Sequence, residues 1–200
     1  GQNISLSNTN GRNEQLIKVK LNYFKNNFLS KITFIHSDIN NNYDVWTPDN
    51  NGFTTFSDFQ GYDTQSTKAF SIKSEFNLNN TTLTSITTHS DNKMLYSYDA
   101  DWGNLEYWDE TYGYNENVDW YFGPYDFKDI TNRKRISSSH EFRSKINFKK
   151  NVLTSGIYYS KTKEVDTRNG WLFSGYASKI HSTFQILNYA FYIKISTPLT

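Results

Sequence analysis

The chain has 200 residues, a formal net charge of +1, no cysteine, and an aromatic fraction of 18% that includes 15 tyrosines and 5 tryptophans. This length predicts one domain, and the near-neutral charge argues against a general nucleic-acid binder. The lack of cysteine excludes disulfide scaffolds, thiol nucleophiles and cysteine-ligated zinc. No run of about 18 apolar residues is present, so the sequence predicts no transmembrane helix.

Alternation of apolar and polar residues with period two, the pattern of a β-strand with two different faces, recurs along the chain. Clear alternation predicts four strands, at 15–24, 66–78, 140–148 and 187–197. Less regular patterns predict three more, at 28–38, 81–91 and 151–164, and residues 171–182 are an eighth candidate. Helical periodicity is not sustained, so we expect an all-β antiparallel meander of seven or eight long strands.

Short polar turns alternate with long aromatic loops between these strands. The predicted turns are 25–27, 79–80 and 149–151, and the predicted loops are 39–63, 91–131 and 166–182. This alternation is typical of transmembrane β-barrels, which have short periplasmic turns and long outer loops. Aromatic residues near the strand ends fit a girdle at the membrane interface, and these are Tyr23, Tyr43, Trp46, Tyr158, Tyr159 and Tyr189.

The sequence predicts no catalytic residue, no metal ligand and no cofactor. Its four histidines lie far apart, and no zinc-protease, catalytic-triad or phosphate-loop motif is present. One acidic cluster has the oxygen density of a calcium site or of a glycosidase carboxylate pair, and it consists of Asp99, Asp101, Glu106, Asp109 and Glu110. Its spacing does not match the EF-hand calcium loop, and nothing in the sequence fixes the separation of a carboxylate pair, so a solvated loop is favoured.

The aromatic loops are the candidate ligand-binding surface, because large rings with polar groups bind small molecules well. The candidate residues are Trp46, Trp102, Tyr107, Trp108, Trp120, Tyr121 and Tyr125. Packing of the loop on itself is the alternative explanation. The basic run Arg133-Lys134-Arg135 is a candidate for binding anions or lipopolysaccharide phosphates, against the alternative of a solvated cluster.

Four segments resemble TonB-dependent outer-membrane receptors. They are YDVWTPDNNGFTTFSD at 43–58, LTSIT at 83–87, YDADWGN at 98–104 and NYAFY at 188–192, the last followed by Ile193 where the family pattern has glycine. The resemblance implies a 22-stranded plugged barrel in the outer membrane of a Gram-negative bacterium. It also implies uptake of a scarce nutrient such as a ferric siderophore, with energy from the inner-membrane TonB complex.

We therefore expect residues 1–200 to be an internal slice of such a barrel, without the plug and without the N-terminal region that contacts TonB. The expected partners are outer-membrane lipid, lipopolysaccharide, the TonB complex through that absent region, and a small-molecule ligand, but no nucleic acid. Such a protein is a transporter, not an enzyme.

Two alternatives remain open. A soluble, secreted, carbohydrate-binding β-sandwich requires Ile17, Phe70, Phe142 and Phe191 to meet in one closed core. A β-sheet glycosidase requires acidic-loop carboxylates such as Asp101 or Asp109 at a fixed separation.

Overall fold

A computed structural model describes residues 10–43, 47–49, 54–114, 125–170 and 179–198. It contains one antiparallel sheet in which each strand pairs with the next along the chain. The strands are β1 (Glu14–Lys25), β2 (Phe28–Asn42), β3 (Tyr62–Leu78), β4 (Thr81–Asp99), β5 (Lys128–Phe148), β6 (Asn151–Gly170) and β7 (Ile180–Ser196), and the helix is α1 (Leu105–Tyr112). The all-β meander and all seven predicted strands are confirmed. Of the eighth candidate, residues 180–182 begin β7 and residues 171–178 lie outside the described residues.

Three two-residue turns join the strands at one end of the sheet. They are Asn26-Asn27, Asn79-Asn80 and Lys149-Lys150, and the first residue of each has a positive φ, of 50°, 35° and 54° respectively. Asparagine tolerates this left-handed backbone because its short side chain hydrogen-bonds locally. The turns therefore form where the sequence predicts them, which aligns the strands at this turn end.

At the opposite end of the sheet, the loop end, the connections are shorter than predicted. The strands extend into the first residues of all three predicted loops, because β2 runs to Asn42, β4 to Asp99 and β6 to Gly170. Polar side chains conceal these strand ends in the sequence, yet their backbones stay paired in unbroken register. Sequence analysis also missed α1, which starts at an Asn104 cap and ends at Gly113 with φ 71°.

Unbroken register gives the sheet two chemically different faces. We call one side the apolar face, and each strand contributes at least one large hydrophobic residue to it, for example Val19, Phe34, Phe70, Leu83, Phe142, Ile157 and Phe191. The other side is the polar face. One row of directly paired residues crosses all seven strands there with only polar side chains, and it consists of Lys20, Thr33, Ser71, Thr88, Ser139, Ser160 and Asn188.

No second layer of described residues packs on either face. The buried hydrophobic side chains in the described part of the chain are Tyr107 and Phe127, and both belong to a loop-end connection. The four residues that a sandwich core requires are exposed instead, with Ile17 at 44%, Phe70 at 41%, Phe142 at 42% and Phe191 at 73%. The described sheet is thus open, with β1 and β7 as its edges, and the closed core of the sandwich alternative is absent from it.

The predicted aromatic girdle is only partly assembled. Tyr23, Tyr159 and Tyr189 lie on the apolar face, and the rings of the last two are 5.2 Å apart. The prediction is wrong for Tyr158, because alternation places it on the polar face next to Tyr159. Tyr43 also lies apart from the apolar face, with its ring 5.0 Å from that of Tyr96, and Trp46 is outside the described residues.

Ion pairs and hydrogen bonds connect β5, β6 and β7 on the polar face. Arg133 donates to both oxygens of Asp166, at 2.7 and 3.0 Å, while Arg135 pairs with Glu164 and Arg168 pairs with Asp129. Nearer the turn end, Tyr192 of β7 reaches across β6. Its hydroxyl donates to Glu141 and accepts a 2.9 Å bond from Arg143.

Because Gly156 of β6 has no side chain, the Tyr192 ring can cross β6 at this position. A Cβ atom at this position would lie 2.5 Å from both Cζ and Oη of Tyr192 and 2.9 Å from the carbonyl oxygen of Phe142. Because the backbone on the far side cannot move away, any larger residue must displace the tyrosine ring. The glycine is therefore a steric requirement of the Glu141–Arg143–Tyr192 contact.

Gly156→Ala is expected to destabilise the protein by about 1–3 kcal/mol, because it overpacks this crossing and removes Tyr192 from Glu141. The measurement is the free energy of unfolding of the purified protein. In a Tyr192→Ala background the same substitution should cost far less, since contacting residues couple. Equal costs in the two backgrounds would show that the ring and the glycine are independent. Ser160→Ala, on the same strand and face, is the control.

Candidate functional site

The candidate ligand surface is built on the loop end of β4, where two buried carboxylates organise the connections. Asp99, the last residue of β4, accepts hydrogen bonds on one oxygen from the Ser57 hydroxyl and the Asp58 amide, the latter at 3.2 Å. Its other oxygen accepts from the amides of Asp101 and Trp102, at 3.3 and 3.2 Å. One side chain thus fastens the loop after β2 to the loop after β4.

Asp101 holds the helix and the start of β5 in the same way. Its Oδ1 accepts from the Gly103 amide at 2.9 Å and from the Trp108 indole Nε1 at 3.1 Å, and its Oδ2 accepts from the Phe127 amide. Trp108 can approach because Gly103 has no side chain, and a Cβ there would lie 2.4 Å from Nε1. Both oxygens of Asp101 are therefore occupied by N–H donors of the protein itself.

Burial controls the protonation of this cluster. It raises the pKa of Asp101 to about 7, with the nearby charge of Asp99 acting in the same direction and the three N–H donors opposing it. Burial raises the pKa of Asp58 to about 6, and the charges of Asp99 and Asp126 add to the shift. The pKa of Asp99 is also raised by burial, against the bonds from Ser57 and the backbone.

An aromatic cluster packs on this carboxylate base. The Tyr107 ring stacks on Phe56 at 4.4 Å, Trp108 lies 4.8 Å from Tyr125, and Tyr125 lies 4.4 Å from Phe127. The rings of Tyr112 and Tyr114 extend the cluster along α1 and are 5.6 Å apart. The loop therefore has a ring-packed interior of its own, which the sheet lacks.

The predicted site residues occupy different positions in this cluster. Tyr107, Trp108 and Tyr125 are brought together, but Tyr107 is only 9% exposed, so its ring stabilises the loop interior. Trp102 is 42% exposed and has φ 63°, a left-handed backbone that bulky residues rarely adopt. Trp46, Trp120 and Tyr121 lie outside the described residues.

Trp102 is the most exposed of the predicted site residues that the structure describes. The hydrogen bond from the Trp102 amide to Asp99 stabilises this strained backbone conformation. The exposed indole is therefore attached to a backbone that the folded loop holds in place. Trp108 and Tyr125 are half-buried and add partly accessible ring edges. The arrangement suits binding of a planar or apolar small molecule.

The acidic residues do not assemble a metal centre in the described part of the chain, where no group of three or more potential ligands is positioned around one point. The oxygens of Asp99 and Asp101 accept hydrogen bonds from protein N–H groups and from the Ser57 hydroxyl, while Glu106 lies in the first turn of α1. Sequence analysis missed the docking of Phe56, Ser57 and Asp58 on this loop, because it is a contact between segments more than 40 positions apart.

Comparison of the chain with protein-family models, with curated proteins and with solved structures finds no match.

The loop is expected to close more tightly at low pH. The folded-state pKa of Asp101, about 7, lies above its ordinary value of 3.8, so the closed loop binds the proton more tightly than the open loop does. Stability from this group is therefore fully present below pH 4 and is lost as the pH rises through 7. Amide hydrogen exchange of residues 100–108, corrected for intrinsic rates, should show protection falling between about pH 4 and pH 7.

Asp101→Asn is the matched variant for that experiment. It keeps one acceptor oxygen but turns an NH₂ donor towards a backbone N–H group, so we expect lower protection at every pH, by about 1–3 kcal/mol. The pH dependence should shrink in this variant, leaving the contributions of Asp58 and Asp99. A wild-type profile that is flat, or that rises with pH, contradicts the assignment of Asp101 as the controlling group.

Proposed function

We propose that this chain is part of the wall of an outer-membrane β-barrel that takes up a scarce nutrient, of the TonB-dependent receptor type that its loop segments resemble. The observation that carries the proposal is the exposed apolar face. A single-layer sheet that presents large hydrophobic side chains from seven strands to water is unfavourable, since each fully buried Leu, Ile or Phe gains about 1.5–3 kcal/mol. Lipid provides the burial that the described residues do not provide.

The two faces match the two environments of a barrel wall. In transmembrane barrels the lipid side is apolar and the lumen side is polar, alternating along each strand. Here the apolar face carries Val19, Phe70 and Phe191, while the row from Lys20 to Asn188 on the polar face is wholly hydrophilic. Ion pairs on that face, such as Arg133–Asp166, suit a wet lumen or contact with a plug.

Strand length and end geometry agree with this orientation. A tilted strand needs about 9–11 residues to cross a bilayer, and the strands here have 12 to 21 residues. The surplus lies at the loop end, because two-residue turns close the other end. Turns on the periplasmic side and loops outside place the aromatic cluster where an external ligand arrives. Open edges at β1 and β7 are where further strands complete the wall.

Lipid contact is tested by attaching an environment-sensitive fluorophore to single cysteines in the full-length protein, reconstituted in bilayers that contain brominated lipid. Apolar-face variants Val19→Cys, Ile72→Cys and Phe191→Cys should be quenched strongly. Polar-face variants Lys20→Cys, Ser71→Cys and Asn188→Cys should be quenched several-fold less; the first two are adjacent to Val19 and Ile72, and the third is three positions from Phe191. Equal quenching on the two faces, or recovery of the protein in a soluble fraction, would falsify the proposal.

Uptake is tested with radiolabelled ferric chelates in iron-limited cells that carry the full-length protein, with and without an intact TonB complex. Transport should require the complex. Trp102→Ala should raise KM about tenfold, as expected for truncation of a central aromatic contact, with little change in the amount of protein in the membrane. Leu105→Ala, an exposed change three positions away on α1, should leave KM unaltered. Transport that is indifferent to TonB argues for a passive channel instead.

A further inference from the structure

Five lysines form a belt on the apolar face, on the loop side of its hydrophobic residues. The lysine belt consists of Lys68, Lys93, Lys134, Lys161 and Lys163, contributed by β3, β4, β5 and β6. All five side chains are exposed. The belt starts two positions beyond Tyr159, at Lys161, and two positions beyond Phe70, at Lys68. It therefore adjoins the residues that we place in lipid.

The belt separates the members of the basic run 133–135. Lys134 lies on the apolar face, opposite Lys93. Arg133 and Arg135 lie on the polar face, where they pair with Asp166 and Glu164. The run is thus not one cluster, and only its lysine is available on the outer side.

Like charges face each other within the belt. Lys93 and Lys134 are direct cross-strand partners, an arrangement that is destabilising unless an anion intervenes. The other cross-strand neighbours of this pair are Ser66 and Val165, and neither is acidic. None of the five lysines forms an ion pair with a carboxylate among the described residues.

Two acidic residues adjoin the belt on this face. Asp91 lies opposite Lys68 and two positions from Lys93, and Asp38 of β2 lies in the cross-strand row of Lys93 and Lys134, where it contacts His36 at 2.9 Å. They offset two charges, so five lysines and two aspartates leave a net charge of +3. Lys161 and Lys163 face Ser138 and Ile136 on β5, and Leu187 and Gln185 on β7. The uncompensated charge therefore concentrates on β5 and β6 and on the adjacent side of β4.

The depth of the belt fits lipid head groups. Strands rise about 3.3 Å per residue, so the belt extends roughly 20 Å along the strands from the row of Tyr159, or about 14 Å along the membrane normal at a 45° tilt. Lysine side chains bend towards the interface while their stems cover apolar surface, which brings the ammonium groups closer to the lipid. Anionic head groups attract such residues by about 1 kcal/mol for each lysine.

We propose that the lysine belt binds the phosphate groups of the phosphorylated glycolipid in the outer leaflet, so that this lipid is a bound partner of the barrel wall. The inference depends on the proposed function, because it needs the apolar face in lipid and the loops outside. The ligand is a lipid rather than a soluble anion, because the belt continues directly into the apolar face that accommodates acyl chains. The spread of the lysines over four strands fits a head group that carries two phosphates.

The test uses the full-length protein, extracted from the outer membrane in mild detergent and examined by native mass spectrometry. The wild type should retain the glycolipid. The belt variant Lys93→Gln/Lys134→Gln/Lys163→Gln should bind it about 100-fold more weakly, at about fivefold for each lysine removed. The control Lys31→Gln/Lys73→Gln/Lys145→Gln, which removes three lysines from the polar face, should retain it like the wild type.

Added lipids identify the head group. Stripped protein should recapture bis-phosphorylated lipid A, bind its dephosphorylated form at least tenfold more weakly, and leave phosphatidylglycerol and inorganic phosphate largely unbound. The triple Lys→Arg variant at positions 93, 134 and 163 should restore binding, since arginine also binds phosphate. Unchanged retention by the belt variant, or equal capture of phosphatidylglycerol, overturns the proposal.

The experiments distinguish failure of the proposed barrel function from failure of the lysine-belt proposal. If the protein is not recovered in the outer-membrane fraction, both proposals are overturned. If it is recovered there, and the apolar face is quenched by brominated lipid while the belt variant retains the glycolipid, only the belt proposal is overturned. Because the belt and control variants each remove three positive charges, a difference between them cannot arise from net charge alone.

Discussion

Covering the apolar face is the constraint on which the rest of this structure depends. The sheet is one layer thick, so each strand has to satisfy two environments at once, and strict alternation achieves this only if register is preserved across all seven strands. A slip of one residue between two neighbours would place hydrophobic side chains among the charges of the polar face. The two-residue turns prevent such a slip at three of the six connections, which explains why residues that tolerate left-handed backbone begin two of them.

Order at the loop end comes from a different source. There the sheet offers no core, and the connections are held by Asp99 and Asp101, whose oxygens accept N–H bonds from three separate segments. Burying two carboxylates together is costly, and their raised pKa values reflect that cost. The aromatic rings around Trp108 compensate by packing against one another. The loop thus behaves as a small folded unit attached to the top of β4 and β5.

Much of the fold is readable from the sequence, and the exceptions have physical reasons. Clear period-two alternation identifies four of the seven strands and less regular patterns identify the other three. Strand ends such as 91–99 escape notice because Ser, Asn and Asp occur equally well in loops. The eight-residue α1 is too short to establish a helical period, and only its capping residues reveal it. At the candidate site, aromatic content points to Trp102 and Trp108, but the pairing of Ser57 with Asp99 depends on tertiary contact that no local pattern encodes.

The strands grow longer from the first to the fifth, with 12, 15, 17, 19 and 21 residues, and then shorten to 20 and 17. The registers show that the turns are staggered, because each hairpin reaches two residues further at the turn end than the hairpin before it. The rest of the increase lies at the opposite rim, which rises to a crest at β4 and β5. At about 3.3 Å per residue the crest stands roughly 16 Å above the top of β1 along the strand direction. The aromatic unit sits on that crest. The aromatic unit therefore stands higher at this rim than the ends of β1 and β7.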